Sequence, residues 1–237
     1  MDKNSNAYTF IFAIIMVTLI AGLLAFTATS LKPLQDKNVK AEKMQNILST
    51  IGVDVTRDEA DASFAKYIKQ QLSLKEDGAV DAASDAFKLE LKKEVKKEVS
   101  EQRFPLYVAE KDGKTFYIVP LYGAGLWDAI WGYIALDSDK NTIIGSSFDH
   151  KGETPGLGAE INTDWFQAQF AGKSLLKDAN AGFEAGNFVS VKVVKGGAKP
   201  GDNHGVDAIS GGTITSDGVS NMIEERLARY LPYFKNN

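Results

Sequence analysis

Hydroxyl side chains cluster around two adjacent glycines in the stretch HGVDAISGGTITS, residues 204–216, directly before a predicted helix. The hydroxyl-bearing residues are Ser210, Thr213, Thr215 and Ser216. A helix N-terminus has unpaired N–H groups and a partial positive charge, so it favours phosphate. The hydroxyls can donate hydrogen bonds to phosphate oxygens, or one can be esterified, while Gly211 and Gly212 remove side-chain bulk. A tight turn with a hydroxyl helix cap, which needs no ligand, explains the same residues.

Two further glycine-rich stretches have the composition of ligand-binding loops. In HKGETPGLG, residues 150–158, the glycines let the backbone approach a ligand, Glu153 offers an acceptor and Thr154 a hydroxyl. YGAGLW, residues 122–127, follows a predicted strand but lacks the full spacing of a dinucleotide fingerprint. Taken singly, each stretch is equally typical of an ordinary surface loop.

Composition excludes several classes of function. The formal net charge of −4 is made of interspersed signs, so no basic face for nucleic acid is predicted. The absence of cysteine rules out disulfides, thiolate catalysis and cysteine-ligated clusters. With only two histidines and no metal-ligand pattern, we predict no metal site and no catalytic side chain, so any redox chemistry would have to come from an acquired cofactor.

The elements that position these loops indicate an α+β domain. Residues 104–121 form two apolar runs around Asp112-Gly113, and residues 131–148 repeat the arrangement, so both predict β-hairpins. NTDWFQAQFAGK, residues 162–173, predicts a short helix capped by Asn162 or Thr163, and a half-buried strand is predicted from Phe188.

A final amphipathic helix is predicted after the hydroxyl cluster, with Thr215 or Ser216 as its cap. Its apolar face consists of Val219, Met222, Ile223, Leu227, Tyr230, Leu231 and Phe234.

The N-terminal part predicts a membrane anchor. No formally charged residue occurs from Asn4 to Leu31, and a run of this length spans the hydrocarbon core as a helix. A cleaved signal peptide is the alternative, but the run exceeds a usual signal core. The lysines that follow the run would keep the large domain in the cytoplasm by the positive-inside rule, which weakens for long folded domains. The residues therefore leave the membrane side open.

The charged segment before the hairpins is the least informative part. KLELKKEVKKEVSEQR, residues 88–103, alternates and then steps by four, so its periodicity does not separate helix from strand, and its charges indicate a solvated face. Pro33 suits the start, and Gly52 the stop, of a helix next to the membrane. The predicted organisation is a tail (1–7), a transmembrane helix (8–30), a juxtamembrane helix (31–52), a charged segment (53–103) and the domain core (104–237).

Asp207–Thr213, DAISGGT, resembles the D-x-x-S-G-A-T motif of the FMN-binding domain family, in which FMN is joined through its phosphate to the final threonine. HKGETPGLG and GAGLW resemble the family's other flavin-contacting loops, in the same order. The uncharged span followed by K-P-L-Q-x-x-N resembles, more narrowly, the C subunits of sodium-translocating NADH:quinone oxidoreductases. Gly212 departs from the motif, which has alanine there.

The resemblance implies an antiparallel sheet with flanking helices, held outside the cytoplasm at a bacterial inner membrane by one helix in the lipid. A separate flavin transferase would attach FMN from FAD, reading a motif that contains Asp207. Another subunit would oxidise NADH, and this chain's FMN would relay electrons towards ubiquinone, coupled to outward sodium pumping.

The resemblance also assigns the site residues. Thr213 is the attachment residue. Ser210, Gly211 and Gly212 shape the phosphate turn, and Thr215 holds the phosphate or starts the helix. The expected isoalloxazine contacts are Leu126, Trp127, Glu153, Thr154, Gly156 and Leu157. The alternatives are the G subunit of an Rnf-type ferredoxin:NAD complex, which shares this domain and topology, and a membrane-anchored binding protein without a cofactor.

Overall fold

The computed structural model describes residue 3 and residues 5–237, and the chain divides into two units, Met1–Lys43 and Met44–Asn237. In this described part, the α-helices are α1 (Asn6–Ser49), α2 (Ala60–Tyr67), α3 (Leu91–Glu94), α4 (Asp164–Ala168), α5 (Thr213–Ala228) and α6 (Leu231–Asn236). The strands are β1 (Ile68–Leu74), β2 (Phe104–Lys111), β3 (Lys114–Ala124), β4 (Ala129–Leu136), β5 (Ile143–His150), β6 (Lys192–Val194) and β7 (Gly205–Asp207). Short 3-10 helices occupy Val99–Glu101, Gly158–Asn162 and Ala179–Ala181.

Helix α1 is continuous over 44 residues and is long and apolar enough to cross a membrane. The predicted helix start at Pro33 is wrong, because Pro33 lies inside the helix. The helix-forming residues on both sides outweigh the one backbone hydrogen bond that proline removes. The predicted stop is confirmed, since Gly52 adopts a positive φ of 66° just after the helix.

Strands β1 to β5 form one antiparallel sheet in sequence order. Both predicted hairpins are present, formed by β2 with β3 and by β4 with β5. Asp112 and Gly113 both have positive φ, 51° and 76°, as expected for the central residues of a two-residue hairpin turn.

Both faces of the sheet at β2 are covered. Phe104 packs edge-on against Tyr230, which follows α5, with ring centroids 6.1 Å apart. Tyr107, on the opposite face because side chains alternate along a strand, packs against Phe64 of α2 at 6.0 Å. The sheet therefore has a hydrophobic layer on each side.

The predicted boundary at residues 103 and 104 is not a structural one, because β1 pairs with β2 and belongs to the same sheet. Residues 88–103 form only α3 and one 3-10 turn, linked by irregular chain. Glu94 corrects the prediction of a solvated charged face. Its side chain is buried, its Oε2 accepts the N–H of Arg103 at 2.9 Å, and its Oε1 accepts from Lys97 at 2.7 Å.

The strand predicted from Phe188 is shorter than expected. Ser190 has a φ of 63°, which interrupts the extended backbone, and only β6 pairs in parallel with β7. Helix α4 forms within the predicted range but ends at Ala168. Thr163 precedes it without capping it through its side chain, because the hydroxyl donates to the carbonyl of Glu160 at 2.7 Å.

Helix α5 packs on β3 through glycines. A Cβ on Gly218 would enter the carbonyl oxygen of Ala124, and a Cβ on Gly123 would lie 2.8 Å from Cβ of Met222. The predicted apolar face is buried except for half-buried Leu231. The prediction of one continuous helix is wrong, because α5 ends at Ala228 and α6 follows. Pro232 has no N–H, so it cannot donate the helical hydrogen bond to the carbonyl of Ala228.

Candidate functional site

Three loops converge on a cavity of about 200 Å³ at the N-terminus of α5. They are the β3–β4 connection, the turn after β5 and the turn before α5. The cavity is lined by Leu126, Glu153, Thr154, Leu157, Gly158, Gly211, Gly212, Thr213, Ile214 and Thr215. The three stretches singled out in the sequence therefore meet at one place.

Thr213 is the first residue of α5 and is partly exposed on the cavity wall. The N-cap residue is Gly212, which has no side chain to accept from the first amides of the helix. The first turn of a helix has no intrahelical acceptors for its N–H groups, and the helix dipole adds positive character there. An anionic group attached to Thr213 would lie beside these donors.

The other hydroxyls of the cluster differ from Thr213 in exposure. Thr215 and Ser216 are each 1% exposed, and Ser216 Oγ accepts the N–H of Ile209 at 3.3 Å. The prediction that Thr215 or Ser216 caps the helix is wrong, because both lie inside its first turns. Ser210 is exposed but does not line the cavity.

Glu153 is the one carboxylate among the residues that line the cavity, and it is only 4% exposed. Its Oε1 accepts the backbone N–H of Trp127 at 2.9 Å, and its Oε2 accepts the hydroxyl of Thr215 at 2.6 Å. Burial raises the pKa of Glu153, but the hydrogen bonds from Thr215 and from the amides of Trp127 and Asp128 outweigh it, so the pKa is lowered overall. Glu153 is therefore ionised at neutral pH.

Glycines make this close arrangement possible. A Cβ on Gly125 would lie 2.5 Å from Oε1 of Glu153. A Cβ on Gly158 would lie 2.5 Å from Oε2 and would also enter the hydroxyl of Thr215. On the opposite side, a Cβ on Gly211 would lie 2.6 Å from Cδ2 of Leu157. A side chain at any of these three positions would displace Glu153, Thr215 or Leu157.

Large apolar side chains stand exposed around the cavity mouth. Leu126 is 48% exposed, Leu157 40% and Ile214 57%. Trp127 is 69% exposed and does not line the cavity itself, but its Nε1 donates to Thr154 Oγ1 at 3.1 Å. Exposed apolar groups grouped around a polar cavity indicate a binding surface.

Two other predicted site residues lie outside the cavity. Gly156 has a φ of 76°, and its N–H donates to Glu160 at 2.8 Å. Asp207 is exposed at the end of β7, where its Oδ1 accepts the N–H of Ala198 at 2.7 Å. Asp207 thus shapes the neighbouring 195–198 turn.

Sequence reasoning missed Gly158 and Ile214 as cavity-lining residues. Gly158 is the last residue of the HKGETPGLG stretch. A side chain is excluded at this position because a Cβ would overlap Thr215, which is far away in the sequence. Ile214 carried a usable signal, because it is an apolar residue in the first turn of α5 that lies off the predicted core face.

The residues present fit a phosphate-bearing flavin. The glycine pair precedes the first turn of α5, whose unpaired N–H groups can bind phosphate, and a Cβ on Gly211 would lie 2.6 Å from Leu157 on the cavity wall. The cavity is smaller than the 300–1,000 Å³ typical of ligand pockets. It therefore suits one end of such a ligand, with the apolar rim left for an aromatic ring.

A family model described as the FMN-binding domain matches residues 125–228, which include the stretches 150–158 and 204–216 completely and the stretch 122–127 from Gly125 onward. Together with the antiparallel sheet and flanking helices, this match defines the chain's second unit as an FMN-binding domain.

The chain belongs to the family formed by the C subunits of the Na(+)-translocating NADH-quinone reductase. It is 31% identical to the C subunit of Vibrio anguillarum, over 94% of this chain and 91% of that protein. The C subunit of Haemophilus ducreyi is also 31% identical, over 94% and 90%. A crystal structure of the Parabacteroides distasonis C subunit has 41% identity and a TM-score of 0.78, covering 87% of this chain and 98% of that one. The predicted family is confirmed, which favours the C subunit over the Rnf-type alternative.

Proposed function

We propose that this chain carries FMN joined through its phosphate to Thr213. The observation that carries the proposal is the position of Thr213: a partly exposed hydroxyl residue that lines the cavity as the first residue of α5. The adjacent Thr215 and Ser216 are buried, so they offer no hydroxyl to an attaching enzyme. The exposed alternative, Ser210, lies outside the cavity lining.

The attachment is a phosphoryl transfer from FAD, carried out by a separate flavin transferase with magnesium. The Thr213 oxygen forms a bond to the phosphorus of the FMN half, the pyrophosphate bond of FAD breaks, and AMP leaves. The threonine proton passes to a base or to water. Asp207 belongs to the motif that the transferase reads, and its exposure at the end of β7 suits that role.

The chain's own residues would hold the cofactor at its two ends. The first-turn amides of α5 and the turn of Ser210, Gly211 and Gly212 receive the phosphate. Leu126, Trp127 and Leu157 offer apolar surface to the ring, with Thr154 and the Gly156 turn at its polar edge. Bound FMN supplies the capacity to accept and pass on electrons, which no side chain of this protein provides.

Within the complex, we propose that the chain relays electrons that another subunit takes from NADH and passes them towards ubiquinone. The relatives are named as parts of a Na(+)-translocating NADH-quinone reductase, which supports the coupling to sodium export. Helix α1 would hold the chain in the bacterial inner membrane, in contact with lipid and other subunits, with the FMN domain on the periplasmic side. No sodium path is assigned to α1, whose apolar run from Phe10 to Phe26 contains no ionisable residue.

The attachment is tested by co-expressing the full chain with a flavin transferase and observing flavin fluorescence in a denaturing gel. The wild-type band and a Ser210→Ala band should fluoresce, and a Thr213→Val band should be dark. Valine has the same shape as threonine without the hydroxyl, so the fold should survive. A fluorescent Thr213→Val band would contradict the assignment.

A further inference from the structure

Both oxygens of the Glu153 carboxylate are engaged by this protein's own donors. Oε1 accepts from Trp127 N–H and Oε2 from the Thr215 hydroxyl. The carboxylate is pressed between Gly125 and Gly158, and the residue is 4% exposed. Each oxygen of the Glu153 carboxylate therefore already accepts a hydrogen bond from the protein, and the carboxylate is held in one place.

The donors come from two other segments of the cavity wall. Trp127 belongs to the β3–β4 loop, and Thr215 to the first turn of α5, 62 positions away. Glu153 thus connects the loop of Trp127 to the helix that begins with Thr213. The loop of Glu153 is itself held, since the Glu153 N–H donates to Nδ1 of His150 at 3.1 Å.

The tie also fixes a negative charge at the cavity. Helix α5 has no acidic residue in its own first turn, and Glu153 supplies one from another element, next to the positive end of the helix. In the neighbouring loops, Asp128 and Lys151 form an ion pair of 2.6 Å, and the Glu160 carboxylate accepts the N–H of Gly156. Among the residues that line the cavity, Glu153 is the only one with a charged side chain.

We infer that Glu153 is a positioning residue of the flavin site and that its fixed charge lowers the midpoint potential of the flavin. Its hydrogen bonds hold the Trp127 loop and the first turn of α5, and its charge makes the uptake of electrons by a ring at the rim of the cavity less favourable. The inference rests on the proposed function, because it requires FMN to be bound here. It gives Glu153 an electrostatic role that its hydrogen bonds alone would not have.

The test separates charge from hydrogen bonding in the full chain co-expressed with the transferase. Glu153→Gln removes the charge with almost no change of shape: its amide oxygen can still accept from Trp127, and its NH₂ can donate to the Thr215 oxygen. Thr215→Val removes one hydrogen bond and keeps the charge. Gel fluorescence first measures attachment, and a spectroelectrochemical titration at pH 7 then measures the midpoint potential.

We expect a higher midpoint potential in fluorescent Glu153→Gln protein than in wild type, and no rise in Thr215→Val. A fluorescent Glu153→Gln protein with an unchanged or lower potential would overturn the inference while leaving the proposed function intact. A wild-type chain without fluorescence would overturn both.

If Glu153→Gln does not fold, the pH dependence of the wild-type midpoint potential provides a second test. In wild type, the midpoint potential should rise additionally as acid protonates Glu153, and Thr215→Val should move this rise to higher pH, because a hydrogen bond to the charged form is gone. Asp128 and His150 are the ionisable neighbours of Glu153 in these loops, so Asp128→Asn and His150→Gln serve as controls that should keep the rise. A wild-type midpoint potential without this additional rise would overturn the inference.

A measurement without flavin is also possible. The amide proton resonance of Trp127 should move in Glu153→Gln, because the group that accepts its hydrogen bond loses its charge.

Discussion

Oε2 of Glu153 accepts a hydrogen bond of 2.6 Å from the hydroxyl of Thr215, and this contact joins the turn after β5 to the first turn of α5. Both side chains are buried, at 4% and 1% exposure. Hydrogen bonds to a charged group contribute about 1.5–3 kcal/mol each, so the pair is a strong local constraint. The helix start that presents Thr213 is thereby fixed from outside the helix.

The stability of the domain should depend on the ionisation of Glu153. Because its folded-state pKa is lowered below the unfolded value, its contribution is fully present above about pH 4.3 and is lost as the pH falls through the folded pKa. Urea unfolding across pH 3–7 measures this. Wild type should lose more free energy of unfolding over the acid range than Glu153→Gln, which has no carboxylate to protonate; parallel curves would contradict the prediction.

Gly158→Ala should destabilise the domain. The new Cβ would lie 2.5 Å from Oε2 of Glu153 and would displace the Thr215 hydroxyl, so the walls have to move. Overpacking of this kind costs about 1–3 kcal/mol. Gly152→Ala in the same loop meets nothing within 4 Å and is the matched control, with an expected change within about 0.5 kcal/mol. Equal stabilities of the two variants in chemical denaturation would refute the packing argument.

The two central glycines of the motif should respond differently to alanine. At Gly212, φ is −99°, and the new Cβ would lie 3.1 Å from Ile209 Cγ2, so a shift of a few tenths of an ångström accommodates it. We expect Gly212→Ala to change stability by about 1 kcal/mol or less and to keep flavin attachment. At Gly211, φ is +74°, which costs a residue with a Cβ about 1–2 kcal/mol. Thermal unfolding compares the stabilities of the two variants, and gel fluorescence compares their flavin attachment. A Gly212→Ala chain that is less stable than Gly211→Ala would contradict the prediction.

Helix α1 should determine the membrane association of the chain. The full chain should stay in the membrane fraction after a carbonate wash, because the helix contains a window of mean hydropathy 2.6. A chain starting at Met44 retains the whole second unit and should appear in the soluble fraction. Protease added to intact spheroplasts should trim the domain if it lies on the periplasmic side, whereas full protection would indicate the cytoplasmic side.

Local patterns predicted much of the fold. The turn at Asp112-Gly113 and the apolar face of α5 were readable from the sequence because turn chemistry and helical periodicity are local properties. Strand β1, IKQQLSL, was not predicted, because its three exposed polar residues look like a solvated segment until β2 pairs with it. Ser190 likewise interrupts a strand that alternation alone would continue.

The site was predictable as a set of loops, while its internal contacts were not. The resemblance brought Leu126, Glu153 and Thr213 together, and the structure places all three on one cavity. Their roles toward FMN stay predictions. The engagement of both Glu153 oxygens by protein donors depends on tertiary packing between distant segments, so no local pattern indicated it. The same holds for Gly158, whose missing Cβ matters only beside Thr215.

Peptide mass spectrometry of the flavin-loaded chain tests the central claim most directly. Trypsin should release residues 196–226, since the bond after Lys199 precedes proline, and this peptide contains all four hydroxyl residues of the cluster. The peptide should gain the mass of FMN minus water, and fragmentation should place that mass on Thr213. A peptide that carries the flavin on Ser210, Thr215 or Ser216, or carries none, would contradict the account.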